Sequence, residues 1–341
     1  MRAITYDRGL RHSLKLEDIE KPTAGNDEVL IKVRAASVNA IDFGALNHAA
    51  MRRVMSVLSK GKMNRPGRDV AGEIETVGRN ITQLKPGDAV FGLCGGAFAE
   101  YARTAESSLA LKPDNVSFAE AAAVPLAGLT ALQGLRDTGK IQPGQKVLIN
   151  GAAGGVGTFA VQIAKSFGTN VTGVCSTKNL DMVRSIGADR VIDYTREDFT
   201  KSDERYDLIF DLVSNHSFAA RRRVLASQGM YVAAGMVGLA GSMPALLKCR
   251  MTEVVLSRFV SQKFVTLMAK VRREDLISLS ELMATGKIRS VIDRRYSLSE
   301  VPAAVEYVGE GHARGKVIID GKSLESGVMR GPTSNVQCSA R

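Results

Sequence analysis

Apolar and polar positions alternate through much of the first 120 residues, and then the rhythm changes. Residues 29–35 alternate as a half-buried strand does. Residues 70–77 form a second such run, with Gly72 inside and Gly78 after it, and residues 89–92 follow the turn Lys85-Pro86-Gly87-Asp88. Residues 1–7 and 98–102 read as further short strands, and no helical period dominates this part. The exception lies between Phe43 and Arg68, where Met51, Val54, Met55 and Leu58 share one face of a short helix.

From Ser117 the pattern becomes helical over 118–124, is interrupted by Pro125 and resumes over 126–137. Apolar strands at 147–149, 171–175, 190–194, 206–211 and 229–235 then alternate with helical stretches beginning at Val156, Leu180 and Phe218, the last two running to 186 and 225. This alternation predicts a parallel, doubly wound α/β sheet. Later come a strand at 264–268, a helix at 274–285 ended by Gly286, and strands at 292–296 and 316–320 flanking a helix at 301–307. Residues 322–341 are polar and aperiodic, and are expected to form a disordered tail.

One junction carries chemistry. Between the strand Val147-Leu148-Ile149-Asn150 and the helix with Val156, Phe159, Ala160 and Ile163 on one face lie only Gly151, Ala152, Ala153, Gly154 and Gly155. Small residues let a phosphate reach the unpaired amides at a helix N-terminus, where the dipole favours an anion. A tight connection with no ligand is the plain alternative, but the second strand weighs against it. It ends in Ser176-Thr177-Lys178-Asn179, where an NAD site, roughly 20 residues after the turn, carries an acid. Two hydroxyls and a lysine suit a ribose 2′-phosphate, so NADPH is the expected cofactor.

The 341 residues suffice for two domains. Cys94, Cys175, Cys249 and Cys338 form no CxxC pair, which argues against a zinc cluster or a disulfide framework and fits a reducing compartment. With no apolar signal core and no run of membrane-spanning length, the expectation is a cytoplasmic protein without stable membrane insertion. A net charge of +11 raises nucleic acid or an anionic surface as a partner. With aromatics at 5%, no tryptophan and no nucleic-acid motif, no nucleic-acid partner is expected. The basic segment 43–68 reads as a solvated helix, a lid over the substrate or a lipid contact.

Five stretches together resemble the zinc-independent quinone oxidoreductase branch of the medium-chain dehydrogenase/reductases. They are Ala36-Ser37-Val38-Asn39-Ala40-Ile41-Asp42, Pro66-Gly67-Arg68-Asp69-Val70-Ala71-Gly72, Ala152-Ala153-Gly154-Gly155-Val156-Gly157, residues 187–194, and His312-Ala313-Arg314-Gly315-Lys316-Val317. The resemblance implies a GroES-like β-rich catalytic domain over 1–121 and 292–321, with a Rossmann domain over 122–291. Zinc-dependent relatives bind their catalytic metal through a cysteine and a histidine-acid pair. Here those positions hold Asn39 and Arg68-Asp69, and neither asparagine nor arginine is a normal zinc ligand, so no metal is expected.

What remains is hydride transfer from NADPH to a small electrophilic acceptor, a quinone or an α,β-unsaturated carbonyl, with a proton arriving from solvent or a nearby hydroxyl. The resemblance places Asn39 beside the nicotinamide, orienting the acceptor carbonyl. Asp42 structures that loop or is an ordinary turn carboxylate. Thr130 approaches the nicotinamide end. Ala153, Gly154, Gly155 and Val156 offer backbone to the pyrophosphate, and Asn150 is a further cofactor-binding residue. Ser176, Lys178 and Tyr194 hold the 2′-phosphate, Tyr194 alternatively being a core residue at its strand end. Val213, Ala234 and Gly235 line the ribose sides. Lys316 reaches the cofactor or lies on the surface. His12, His48, His216 and His312 show no ligand spacing. Residues 46–63 and 236–251 are expected to shape the acceptor pocket. Dimerisation through the strand at 264–268 is also expected. Two other readings stay open. One is an NADPH-binding protein that uses a basic face (43–68, Arg221-Arg222-Arg223, 248–273) on RNA or a membrane. The other is an enoyl-thioester reductase.

Overall fold

The computed structural model describes residues 1–6, 13–47, 65–234 and 261–321. The expected helix over Met51–Leu58, His12, His48, Gly235, Cys249, the acceptor-pocket stretch 236–251 and the tail 322–341 with Cys338 lie outside the described residues, as does the part of the basic segment at 48–64.

In chain order, β1 (Arg2–Tyr6) and β2 (Leu14–Asp18) form an antiparallel pair. Then come β3 (Glu28–Val38), α1 (Ala40–Asn47), β4 (Asp69–Val77), β5 (Ala89–Leu93), β6 (Tyr101–Ala105) and β7 (Leu109–Leu111). Helices α2 (Phe118–Ala122) and α3 (Pro125–Leu132) lead through a π-helical stretch, Gln133–Thr138, into the next sheet. That sheet alternates β8 (Lys146–Asn150), α4 (Gly155–Ser166), β9 (Asn170–Cys175), α5 (Leu180–Ser185), β10 (Arg190–Asp193), β11 (Tyr206–Asp211), α6 (Phe218–Arg223), β12 (Leu225–Ala233) and β13 (Lys263–Thr266). The chain closes with α7 (Arg273–Ala284), β14 (Ile292–Tyr296), α8 (Val301–Gly309) and β15 (Lys316–Asp320).

Among the described residues, β8 to β13 form one six-stranded sheet in the order β10-β9-β8-β11-β12-β13, with every pair parallel. This is the Rossmann order, reversing between β8 and β11, and ligands bind such sheets outside the carboxyl ends of the strands at that reversal. Val147, Leu148 and Ile149 are wholly buried, as a strand covered by helices on both faces requires. The other large sheet runs β14-β15-β3-β4-β5-β7, with β6 also paired to β3. The late strands β14 and β15 thus return to the sheet of the first 111 residues, as the GroES-like expectation requires.

Several elements differ from their expected form. Helix α1 was not legible in the sequence. It has eight residues, and its Phe43 ring packs where a Cβ on Gly309 of α8 would stand 2.2 Å away. Strand β6 starts three residues later than the expected strand at 98–102, because Phe98 and Ala99 instead meet β1 through the Ile4 N–H and a bridge to Ala3. Helix α6 stops at Arg223 because Leu225 already pairs with Tyr206 as the start of β12.

Candidate active site

The end of β3 lies between β4 and β15, with Ser37 opposite Asp69 and Val38 opposite Val317. This register brings together three residues that are far apart in sequence. Asn39, Asp69 and Lys316 are all buried. The Lys316 Nζ donates to Asn39 Oδ1 at 2.7 Å, and to Val38 O and Asp69 Oδ2 at 3.3 Å. Asn39 Nδ2 donates to Asp69 Oδ2 at 2.9 Å, and Ser37 Oγ donates to the same oxygen at 2.8 Å. The other oxygen, Asp69 Oδ1, accepts the N–H of Leu126 on α3. The surface alternative for Lys316 is therefore wrong. Its ammonium lies among Val38, Asn39 and Asp69 of the GroES-like half, and its stem passes Gly155 of the nucleotide half.

Asp42 lies in the first turn of α1 and accepts the backbone N–H groups of Asn39 (2.9 Å) and Gly67 (3.3 Å). It closes the turn that carries Asn39 and ties that turn to Gly67. Burial pushes its carboxyl up to about 6, opposed by the Asn39 N–H, with the Asp69 charge adding to the rise. The native state therefore holds this proton more tightly than the unfolded chain does. Asp42 contributes stability that is present below about pH 4 and is lost as pH rises through about 6. In paired melts from pH 4 to 7, wild type will lose ground to Asp42→Asn as pH rises. A difference that does not vary with pH would refute the raised value.

The junction after β8 has the form of an anion cradle. Gly151 adopts φ +88°, and Gly154 is the N-cap of the twelve-residue α4, with no side chain capping it. A Cβ on Gly157 would stand 2.1 Å from Gly151 O, so only glycine closes the turn. At Gly154 a Cβ would meet nothing nearer than Gly151 O at 3.5 Å, so the space in front of the amides is open. Ala153 O accepts the Gly315 N–H at 2.9 Å, and a Cβ on Gly155 would stand 3.0 Å from Lys316 Cδ. The phosphate turn thus rests against the start of β15. These features fit a dinucleotide pyrophosphate.

Other expected residues gather at the carboxyl ends of the strands. Ser176 and Tyr194 follow the paired ends Cys175 and Asp193, and the Tyr194 N–H reaches Cys175 O. Lys178 is exposed in the turn Thr177–Asn179, and Tyr194 is 62% exposed, which removes its core alternative. Asn150 Nδ2 donates to Asp211 Oδ1 at 2.9 Å. Val213 packs beside Gly151, its Cγ2 lying 3.1 Å from where a Cβ there would be. Ala234 is buried and its N–H reaches Asp211 O. Thr130, one turn after Leu126, donates its hydroxyl to Leu126 O and remains half-buried. Sequence reasoning missed Asp211 and Tyr231, whose hydroxyl donates to Asp211 Oδ2 at 2.7 Å, and did not give Asp69 its central place.

Of the expected arginine run, Arg221 is buried with its guanidinium 4.7 Å from the Tyr231 ring, whereas Arg222 and Arg223 stay exposed, donating to Gln262 and to Thr200 O. Among the described residues no helix is long and apolar enough to cross a membrane. The side chains that meet at the site, an amide, a carboxylate and an ammonium, offer a zinc ion neither thiolate nor imidazole. No group of three metal-ligating side chains occurs among the described residues.

Residues 25–114 match the alcohol dehydrogenase GroES-like domain, and residues 186–319 match the family described as zinc-binding dehydrogenase. A relative, the chloroplastic quinone-oxidoreductase QR1 of Triphysaria versicolor, is 34% identical over 335 residues, covering 94% of this chain and 98% of that protein. The chloroplastic NADPH-dependent alkenal/one oxidoreductase of Arabidopsis thaliana is 35% identical over 344 residues, covering 94% and 79%. The solved quinone oxidoreductase from Coxiella burnetii superposes with a TM-score of 0.80 at 31% identity, over 94% of this chain and 99% of that one. With relatives of this identity along nearly its whole length, the chain belongs to the zinc-independent quinone oxidoreductase branch of the medium-chain dehydrogenase/reductases.

Proposed function

We propose that this protein is an NADPH-dependent reductase of quinones or α,β-unsaturated carbonyls. The observation that carries the reading is the junction of an open, uncapped phosphate turn with the buried Asn39 site through Lys316. The two relatives named above support both acceptor classes, and one of them supports NADPH. On this reading residues 1–121 and 292–321 form the catalytic domain and 122–291 the nucleotide domain. Ala153, Gly154, Gly155 and Val156 hold the pyrophosphate, with Asn150 also on the cofactor side. Ser176, Lys178 and Tyr194 hold the 2′-phosphate. Val213, Ala234 and Gly235 line the riboses, and Thr130 borders the nicotinamide.

When bound, NADPH supplies the hydride. Asn39 would bind the acceptor oxygen, orienting the acceptor and stabilising the negative charge that oxygen takes up. A proton then arrives from solvent or a nearby hydroxyl. Asp42 holds the Asn39 loop without touching the acceptor. The free thiols Cys94 and Cys175, both buried, support a reducing compartment such as the cytoplasm. Among the described residues strand β13 is the last of its sheet, which supports a homodimer paired there.

The test is loss of reduced-nicotinamide absorbance with benzoquinone, phenanthrenequinone, an alkenal, an enone and crotonyl-CoA, each with NADPH and with NADH, with and without a chelator. Turnover of a quinone or enone with NADPH preferred and no chelator effect is expected. Turnover of the thioester alone would sink the reading. Replacing Ser176 with aspartate puts an acid at the end of β9, where it repels a 2′-phosphate and accepts from ribose hydroxyls. The preference for NADPH over NADH should fall by about tenfold or more in kcat/KM. An unchanged preference would remove Ser176 from the ribose site.

A further inference from the structure

We infer that Lys316 is a positioning residue for Asn39 rather than a cofactor ligand. Its ammonium locks the Asn39 amide in the orientation that offers an N–H to the acceptor oxygen. The inference rests on the reading of Asn39 given above and adds the device that makes it work.

An ammonium has three protons and no lone pair. Here the Nζ has three acceptors, Asn39 Oδ1, Val38 O and Asp69 Oδ2, which leaves no proton to aim at a phosphate. The same contacts decide the amide orientation. A group that only donates must face Oδ1, and the Asp69 carboxylate must face Nδ2, as it does at 2.9 Å. Turning the amide over would set its NH2 against the ammonium and its oxygen against the carboxylate. Asp69 is in turn held by Ser37 Oγ and the Leu126 N–H, so the frame does not turn with it.

The second Nδ2 proton has only a long contact, 3.4 Å to Ser37 O. It is the one proton of the amide left for an acceptor oxygen. The ammonium draws charge from Oδ1 and makes that N–H a better donor, as in any polarised hydrogen-bond chain. The lysine stem lies against Gly155 and the Lys316 N–H is bonded to Val291 O, so the donor is also fixed relative to the phosphate turn. Without the ammonium the Asp69 carboxylate alone holds Nδ2, Oδ1 loses its partner, and the remaining N–H becomes a weaker and less firmly aimed donor.

The experiment compares Lys316→Met, Asn39→Ala and the double variant. It measures NADPH affinity by fluorescence titration, and kcat and KM with an alkenal per folded molecule. Lys316→Met should keep NADPH affinity within about threefold while kcat falls by about tenfold or more, as loss of an oxyanion donor does. The double variant should be no slower than Asn39→Ala. A purely structural role would change the folded fraction but would not make the two losses non-additive. Additive losses, unchanged turnover in Lys316→Met, or a tenfold loss of NADPH affinity would each overturn the inference. Unchanged turnover in Asn39→Ala would instead sink the role of Asn39 on which it rests. If Lys316→Met does not fold, Asp69→Asn/Lys316→Met removes both buried charges together, and the same losses are expected of it.

Discussion

Replacing Gly154 with aspartate is expected to abolish NADPH binding and leave the fold as stable as before. Gly154 is the N-cap of α4 with φ −81° and ψ 175°, an extended conformation open to any residue. Its Cβ would point into free space, so the substitution brings no clash. Aspartate is among the best N-cap residues, because its oxygens accept the first amides of the helix. Those amides are the ones proposed to hold the pyrophosphate. The new carboxylate would satisfy them from within and place a negative charge where two phosphates must lie. Affinity should fall by about a hundredfold or more, equivalent to about 2.7 kcal/mol. The melting temperature of the unliganded protein should hold or rise slightly. Fluorescence titration together with a thermal melt reads both quantities. Retained NADPH affinity would remove the turn from the cofactor site, whereas a large drop in melting temperature would show that Gly154 is needed for the backbone itself.

This separation was legible in the sequence because a phosphate turn is a local object. Its glycines, strand and helix are contiguous, so no long-range register is needed to see it. The nucleotide sheet was legible for a related reason. Strands covered on both faces become unbroken apolar runs, and Tyr206–Asp211 has the same ends in the sequence and in the structure. Helix α1 was hidden because its support is non-local, Phe43 packing on Gly309 from the far end of the chain. Lys316 was ambiguous for the same reason. Its preceding neighbours, His312 to Gly315, are polar or small, and it is buried only because β15 lies between β14 and β3. The arginine run was legible in part: Arg222 and Arg223 are exposed as a row of charges suggests, while the end of α6 turns Arg221 onto the Tyr231 ring.

Asp211 is the clearest case of a site residue that only the register reveals, and its removal should have the second large effect. Asp211→Ala is expected to cost about 3–5 kcal/mol of stability, as loss of one partner from a buried charged network does. The carboxylate is fully buried. Its Oδ1 accepts from Asn150 Nδ2, the Val213 N–H and the Ser214 N–H, and its Oδ2 from Tyr231. Alanine would strand four donors at once. It would also release Ser214, a non-glycine residue held at φ +56°, a conformation that persists only where surrounding bonds enforce it. Asp211→Asn should be far milder. Its remaining oxygen still accepts the three donors on the Oδ1 side, and the Tyr231 hydroxyl can turn to accept from the new amide. Tyr231→Phe removes a single hydroxyl and should cost about 1 kcal/mol. Urea denaturation should therefore rank Asp211→Ala well below the other two. Because Val213 packs beside Gly151, the alanine variant should also weaken NADPH binding, while Tyr231→Phe should leave it unchanged. If Asp211→Asn fell as far as Asp211→Ala, the negative charge and not the shape of the acceptor would be what holds the loop against the phosphate turn.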